Sequence, residues 1–363
     1  VGHELRRRGH VVFIGAAGAF ALPHYRTRQN IKLRKAYALR DFAWLSQHGM
    51  ERCGKPNVSL YWVDYVHHLR QPQHRKRYKR PSLSESLEHP LAVDILKDVS
   101  RPHLVYENGM TKGAVTLDPR GLLGDSFYAE SLNKRLQERF ENASCNSYIR
   151  DYLQYGWSKR PQLAAVDIPQ RVLGHYVFIP TQKFHDMSLM RYSSHTYPEL
   201  LWNATQFCKV HDFPMVVKIH PHLVGREREQ QMQLIGELRT VYPGVMESKA
   251  SISFLTRHAR FTVTLNGGTL MDNFFTTSPV LTLARSLWYK TDAVVFDESI
   301  ARGLARMLDP SESPWPEWRK MRQRQAVCWY RKMALNTAYT PEENVAVLQR
   351  QLDAMNMTQP LVL

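Results

Sequence analysis

In the second half of the chain, short apolar runs alternate with longer stretches whose apolar positions recur at helical spacing. The runs at 175–181 (HYVFIPT), 215–220 (MVVKIH), 261–265 (FTVTL) and 279–283 (PVLTL) are nearly continuous, the pattern of strands buried on both faces. Helices are predicted between and after them at 197–211, 226–242, 251–258, 269–275 and 299–308. Strands alternating with helices imply a parallel, doubly wound sheet. The first half alternates less cleanly. HVVFIGA (10–16) follows a helix-like HELRRRG that Gly9 is placed to end. Residues 31–47 read as a helix, 58–66 and 103–109 as strands, and Asp125–Asn142 and 146–156 as helices. Residues 157–174, with Pro161, Pro169, no period and a closing Gly174, read as a linker.

A chain of 363 residues exceeds what one hydrophobic core usually holds. The expected fold class is therefore α/β, with two doubly wound Rossmann-like domains and a cleft between them. The expected boundaries are an acceptor-side domain at 1–165, whose first strand lies before Val1, a donor-binding domain at 166–310, and C-terminal helices at 311–363 packing back across both. In such sheets ligands bind at the carboxyl ends of the strands.

Composition adds charge to this picture. The 49 Lys and Arg exceed the 33 Asp and Glu, leaving a net +16, which attracts phosphate on nucleic acid, lipid or nucleotide. The sharpest run, HRKRYKRP (74–81), reads as a solvated basic loop or as a contact with an anionic membrane surface, where each Lys or Arg contributes about 1 kcal/mol. WPEWRKMRQRQAVCWYRK (315–332) reads as a helix with either an apolar core face or an interfacial one. No apolar run reaches ~18 residues, so no transmembrane helix is expected. Cys53, Cys145, Cys208 and Cys328 form no CxxC pair and are expected to be reduced thiols in a cytoplasmic protein. The sequons at Asn57, Asn142, Asn203 and Asn356 weigh little beside the lack of a signal-peptide pattern.

Four motifs fall at predicted strand ends. In KIHPH, His220 stands at the end of an apolar strand and Pro221 ends the ladder. A histidine there can hold a phosphate oxygen, with Lys218 or His222 adding charge; equally, it can simply cap the strand. In TLNGGTLMD, Asn266, Gly267 and Gly268 turn tightly into a helix opened by Thr269, a geometry that can cradle a phosphate. Asp272, one turn in, is within reach of a ribose or base. An ordinary capped turn is the alternative. In LVYENGMTKGAVTLDPRG, Glu107 ends a strand on the cleft rim, where a carboxylate can act as acid, base or nucleophile. In YVFIPTQKFHDMSL, Gln182 and Asp186 follow the strand that opens the second domain. No metal-ligand spacing is present, and no cofactor is expected beyond a nucleotide-sugar substrate.

The order of these motifs, a Glu-x-Gly strand end with TLDPRG, then VFIPTQxxxD, KIHPH and TLNGGTxxD…PVLTL, resembles the bacterial capsule polysaccharide biosynthesis proteins. These are the Kdo transferases that build the glycolipid linker of group 2 capsules. The likeness spans roughly residues 1–310. It implies a GT-B glycosyltransferase that takes Kdo from CMP-Kdo to a glycolipid or polysaccharide acceptor for surface export; with the basic runs, the expected location is cytoplasmic and peripheral on the inner face of the cytoplasmic membrane. The resemblance assigns His220 and Pro221 to the CMP phosphate, and matches Glu107 and Asp186 to the family's acidic motif residues. The family's usual serine is Gly267 here, and its usual glutamate is Asp272. For a retaining double displacement the expectation is Asp186 as nucleophile and Glu107 as acid/base. For an inverting reaction Glu107 alone serves as base. Two other readings stand beside this one: a GT-B transferase using a UDP- or GDP-sugar, and a non-enzymatic basic protein binding nucleic acid or membrane. The motifs at four strand ends speak against the last, and no specific nucleic acid partner is expected.

Overall fold

The structure is a computed structural model in which the described residues are 12–16, 58–62, 103–118, 123–137, 143–155, 158, 162, 167–184, 187–221, 223–336 and 339–354. The chain forms two compact units. One comprises Val1–Gly109, Ala114–Phe127 and Met333–Leu363, and the other Met110–Gly113 and Tyr128–Lys332. This division differs from the one expected at residue 165. Residues 128–165 belong with the second unit, and 311–363 divides between the two at 332. The presumed linker is part of the second unit as well: Asp167 accepts a hydrogen bond from the Lys249 N–H at 2.6 Å.

The first unit holds β1 (Val12–Ala16), β2 (Val58–Trp62), β3 (His103–Asn108) and β4 (Ala114–Asp118). β1, β2 and β3 are parallel neighbours, but β4 returns antiparallel to β3. The doubly wound expectation fails at this edge for a geometric reason. Residues 109–113 are too few for a crossover helix and enough for a hairpin. The hairpin closes with the Gly109 N–H donating to the Ala114 carbonyl at 2.8 Å, and Gly113 takes φ +69°. In the described part of the helix predicted over Asp125–Asn142, a single turn forms, α1 (Leu132–Arg135). Its intended start is held in a turn by Asp118, which accepts from the Ser126 hydroxyl and from the Phe127 N–H at 3.0 Å.

The second unit runs α2 (Ala143–Tyr155), β5 (Val177–Pro180), α3 (Met187–Tyr192), α4 (Tyr197–Val210), β6 (Met215–Lys218), α5 (Gly225–Val241), β7 (Val245–Glu247), α6 (Ile252–His258), β8 (Phe261–Thr264), α7 (Thr269–Thr276), β9 (Val280–Thr282), β10 (Val295–Phe296), α8 (Ile300–Arg306) and α9 (Glu317–Met333). Its six strands are all parallel, in the order β10-β9-β8-β5-β6-β7. Successive side chains of β5 and β6 feed opposite faces. Val177, Ile179, Met215 and Val217 pack with Leu200, Leu201, Leu234 and Leu238 of α4 and α5. Tyr176, Phe178 and Val216 pack with Leu255 of α6. Burial on both faces explains why these strands read as continuous apolar runs. Back in the first unit, β11 (Leu335–Asn336) pairs antiparallel with β4, followed by α10 (Pro341–Ala354).

In α9 the expectation of unpaired thiols is corrected, and of the two readings of 315–332 the one with a core face holds. Cys145 of α2 and Cys328 of α9 form a disulfide, with Cα atoms 5.5 Å apart, while Cys208 is a free, buried thiol. The pairing joins residues 183 apart in sequence, which is why spacing did not reveal it. The face carrying Gln323, Ala326, Val327 and Tyr330 is buried. Arg319 lies buried too, donating to Glu312 and, at 2.9 Å, to the Val294 carbonyl. This helix is a core element of its unit rather than a surface strip. Among the described residues, no helix is long and apolar enough to cross a membrane.

Candidate functional site

The strand order of the second unit fixes where its ligand crevice lies. The chain starts at β5, moves one way through β6 to β7, then crosses to the other side of β5 for β8, β9 and β10. The order therefore reverses between β5 and β8, and the crevice outside the carboxyl ends of those two strands is the topological switch point. Gln182 follows β5 and Asn266–Gly268 follows β8, so two of the sequence motifs converge there.

They meet at close range. A Cβ on Gly267 would lie 3.3 Å from Gln182 Cδ and 3.5 Å from Thr264 Oγ1. Gln182 is itself pinned. The Tyr197 hydroxyl donates to its Oε1 at 3.1 Å, and Gln231 Nε2 donates to its carbonyl at 2.8 Å. The glycine that departs from the resembled family's serine thus sits where Gln182 fills the side-chain space. Asn266 is clamped to α3, its Nδ2 donating to the Ser188 carbonyl at 2.9 Å while the Ser188 hydroxyl donates back to Oδ1 at 3.2 Å. Gly268 is the N-cap of α7, and no side chain caps that helix. Thr196 caps α4 in a capping box and Ser251 caps α6, whereas α5, like α7, has no side-chain cap. An uncapped helix N-terminus beside two glycines is a site suited to an anion. Thr269 opens this helix and is buried.

His220 stands one strand over, two residues past β6. Its N–H donates to Thr181 Oγ1 at 3.0 Å and its carbonyl accepts from the Leu223 N–H at 3.0 Å. These bonds fix the His220–Pro221 turn to the carboxyl end of β5, with His220 half-buried and Pro221 exposed. The structure gives two other expected ligand contacts different work. Lys218 Nζ donates to the Ala250 carbonyl at 2.7 Å and the Lys249 carbonyl at 3.3 Å, so its ammonium ties β6 to the chain after β7. Burial lowers its pKa from the ordinary lysine value. Asp272 points inward. It is buried, accepts from the Tyr152 hydroxyl and the Ser158 side chain, and burial raises its pKa to about 7. Sequence position showed one helical turn from the cradle; it did not show which way the carboxylate faces.

Three sequence-predicted groups are not placed in this crevice by the geometry. Asp186 and His222 lie outside the described residues. The backbone of Glu107 is next to last in β3, opposite Thr116 of β4. Sequence reasoning missed Tyr197, Ser188 and Gln231, which position the crevice groups. Their roles arise from tertiary contacts and leave no local signal. It also missed a shallow depression further along the same edge, lined by Ser194, His195, Glu199, Glu298, Ser299 and Arg302. There the His195 ring nitrogens lie 2.8 Å from Glu199 Oε1 and 2.7 Å from the Glu298 carbonyl. Among the described residues, no cluster of ligating side chains could hold a metal ion.

No protein-family model matches the chain, and no curated protein matches it. Solved structures do. The chain is similar to the β-Kdo 2,7 transferase of Thermosulfurimonas dismutans KpsC, with a TM-score of 0.50 and 13% identity over 96% of this chain and 99% of that one. The fold is GT-B-like. Weaker likenesses are to the β-Kdo 2,4 transferase of the same KpsC (TM-score 0.42, 11% identity, 74% of this chain and 78% of that one). Another is to a UDP-forming α,α-trehalose-phosphate synthase from Burkholderia xenovorans (TM-score 0.37, 12% identity, 92% and 83%). At these identities the likeness is one of fold alone.

Proposed function

We propose that this protein is a glycosyltransferase that moves Kdo, or a related acidic sugar, from a CMP donor to a glycolipid or glycan acceptor. The observation that carries the reading is the switch-point crevice. There the uncapped N-terminus of α7, the Gly267–Gly268 turn and Gln182 lie beside the His220–Pro221 turn. A helix dipole, backbone N–H groups and an imidazole can together stabilise the negative charge that builds on a departing CMP phosphate. The motif order that resembles Kdo transferases supports the choice of donor. Lys218 has no part in this reading, because its ammonium is drawn to the Lys249 and Ala250 carbonyls. Asp186 serves as nucleophile and Glu107 as acid/base in a retaining double displacement. The carboxylate of Asp186 displaces CMP to form a glycosyl-enzyme ester, and an acceptor hydroxyl, deprotonated by Glu107, then displaces Asp186.

A second reading, a UDP- or GDP-sugar donor, is favoured by the glycine at 267 and by the inward turn of Asp272, which is not available to a ribose or base. Thermal unfolding with CMP, CDP, UDP and GDP, on wild type and His220→Ala, separates the two. A ligand at about 100 times its Kd stabilises by ~2.7 kcal/mol, a readable shift. The expected result is stabilisation by CMP that the variant loses. A response to UDP or GDP alone overturns the CMP donor, and no response to any nucleotide overturns the glycosyltransferase reading.

A further inference from the structure

Arg285 was singled out by no motif, yet the fold places its backbone at the same sheet edge, just past β9. The chain after β9 keeps pairing with the chain after β8. The Leu283 N–H donates to the Thr264 carbonyl at 3.0 Å, and the Ala284 N–H to the Leu265 carbonyl at 3.2 Å. This pairing extends the β8–β9 register, in which Thr264 faces Thr282, and sets Arg285 level with Gly267, one strand over. The Arg285 N–H then donates to the Tyr192 carbonyl of α3 at 2.9 Å. Four residues earlier on that helix, Ser188 holds Asn266 through two hydrogen bonds. One short helix thus anchors the anion cradle and Arg285 side by side. The Arg285 backbone is fixed at the strand end while its side chain is exposed, and among the described residues its guanidinium has no hydrogen-bond or ion-pair partner. Arg302 and Arg306, also near this edge, are committed to Asp297.

We infer that Arg285 binds the carboxylate of the acidic sugar and so selects the donor. The inference rests on the proposed CMP-sugar reading. In a glycosyl phosphate of a 2-keto sugar acid, one carbon carries both the phosphate oxygen and the carboxylate, so the two anions lie within a few ångströms. Adjacent strands are about 4.8 Å apart. A phosphate held after β8 therefore leaves the carboxylate at the end of β9, in reach of an arginine whose planar fork accepts a carboxylate in two bonds. A neutral hexose offers nothing to that fork.

The test measures binding of CMP and of CMP-Kdo by calorimetric titration to wild type, Arg285→Ala and Arg285→Lys, with UDP-glucose as a control. The alanine variant is expected to bind CMP as wild type does and CMP-Kdo about 10- to 100-fold more weakly, the usual worth of a hydrogen-bonded charge pair. The lysine variant is expected to recover part of the loss. Equal weakening of CMP and CMP-Kdo overturns the inference by assigning Arg285 to the phosphate. An unchanged CMP-Kdo affinity in the alanine variant overturns it by assigning Arg285 no part in recognition. Wild type that binds neither CMP nor CMP-Kdo, whether or not it binds UDP-glucose, overturns the underlying donor reading and this inference with it.

Discussion

Asp272 shows how a residue's place in the sequence and its place in the fold can point to different roles. One turn into the helix that follows NGGT, it reads as a ligand contact. In the fold it is enclosed, receives hydrogen bonds from Tyr152 and Ser158, and lies next to Phe275, whose ring stacks on Tyr152 at 3.8 Å. Burial raises its pKa from 3.8 to about 7, so the folded state binds the proton more tightly than the unfolded one. For a carboxyl group with a raised pKa, the folded state bears the penalty of a buried charge above pH 7. That penalty is relieved as pH falls through 7 toward 3.8. It is at most about 4 kcal/mol, from one pKa unit being ~1.36 kcal/mol. Asp272→Asn keeps an acceptor for Tyr152 and removes the charge. The variant is therefore expected to melt above wild type at pH 8, with the gap closing by pH 5 in parallel thermal scans. A gap that widens on acidification would mean the carboxylate is stabilised as an anion. The strand-end positions of His220–Pro221 and Asn266–Thr269 were legible in the sequence because glycine, proline and a strand end are local signals. The orientations of Lys218 and Asp272 were not, because only the folded surroundings decide which acceptors a side chain meets.

The elements of the second unit were legible for a similar reason. β5, β6, β8 and β9 are buried on both faces, so each shows as an unbroken apolar run, and α4 to α8 carry the helical period between them. β7, β10 and β11 have three, two and two residues, too few to establish any period. β4 was hidden because its hairpin partner β3 looked like the end of a parallel strand. The disulfide is the element-scale feature with no sequence signature at all. It ties α2 to α9 across 183 residues, and the chain-entropy argument for so long a loop gives ~5 kcal/mol, less whatever the tertiary contacts retain in the unfolded chain. Protein purified without reductant is expected to show Cys208 labelled by a thiol reagent in denaturant while Cys145 and Cys328 are protected. Dithiothreitol or Cys328→Ser is expected to lower Tm by ~10 °C, at 2–4 °C per kcal/mol for a unit of this size. Labelling of Cys145 and Cys328 in protein taken directly from its source would show reduced thiols and support the cytoplasmic expectation. Protection would favour an oxidising compartment.

At the scale of the molecule, the two units differ in how the chain builds them. The first is assembled from three separated segments, whereas the second is nearly contiguous from Tyr128 to Lys332, joined only by Met110–Gly113. That short return is bonded into the second unit. The Met110 N–H donates to the Tyr330 hydroxyl at 2.5 Å, Trp288 Nε1 donates to Met110 Sδ at 3.5 Å, and Thr111 forms a bridge with Ser158. The six-stranded sheet, both layers of core, the disulfide and every crevice group described above belong to this unit. A unit with its own core on both faces of one sheet has what independent folding requires. A fragment spanning residues 128–332 is therefore expected to unfold in one cooperative transition and to keep the CMP-dependent rise in Tm, while losing transfer activity because the proposed acid/base Glu107 is absent. Intact protein, scanned calorimetrically, is expected to shift only the transition that the fragment reproduces when CMP is added. A fragment that folds but ignores CMP, when the intact chain responds, would mean that nucleotide contacts are shared with the first unit. The switch-point crevice would then be half of a site rather than the whole of one.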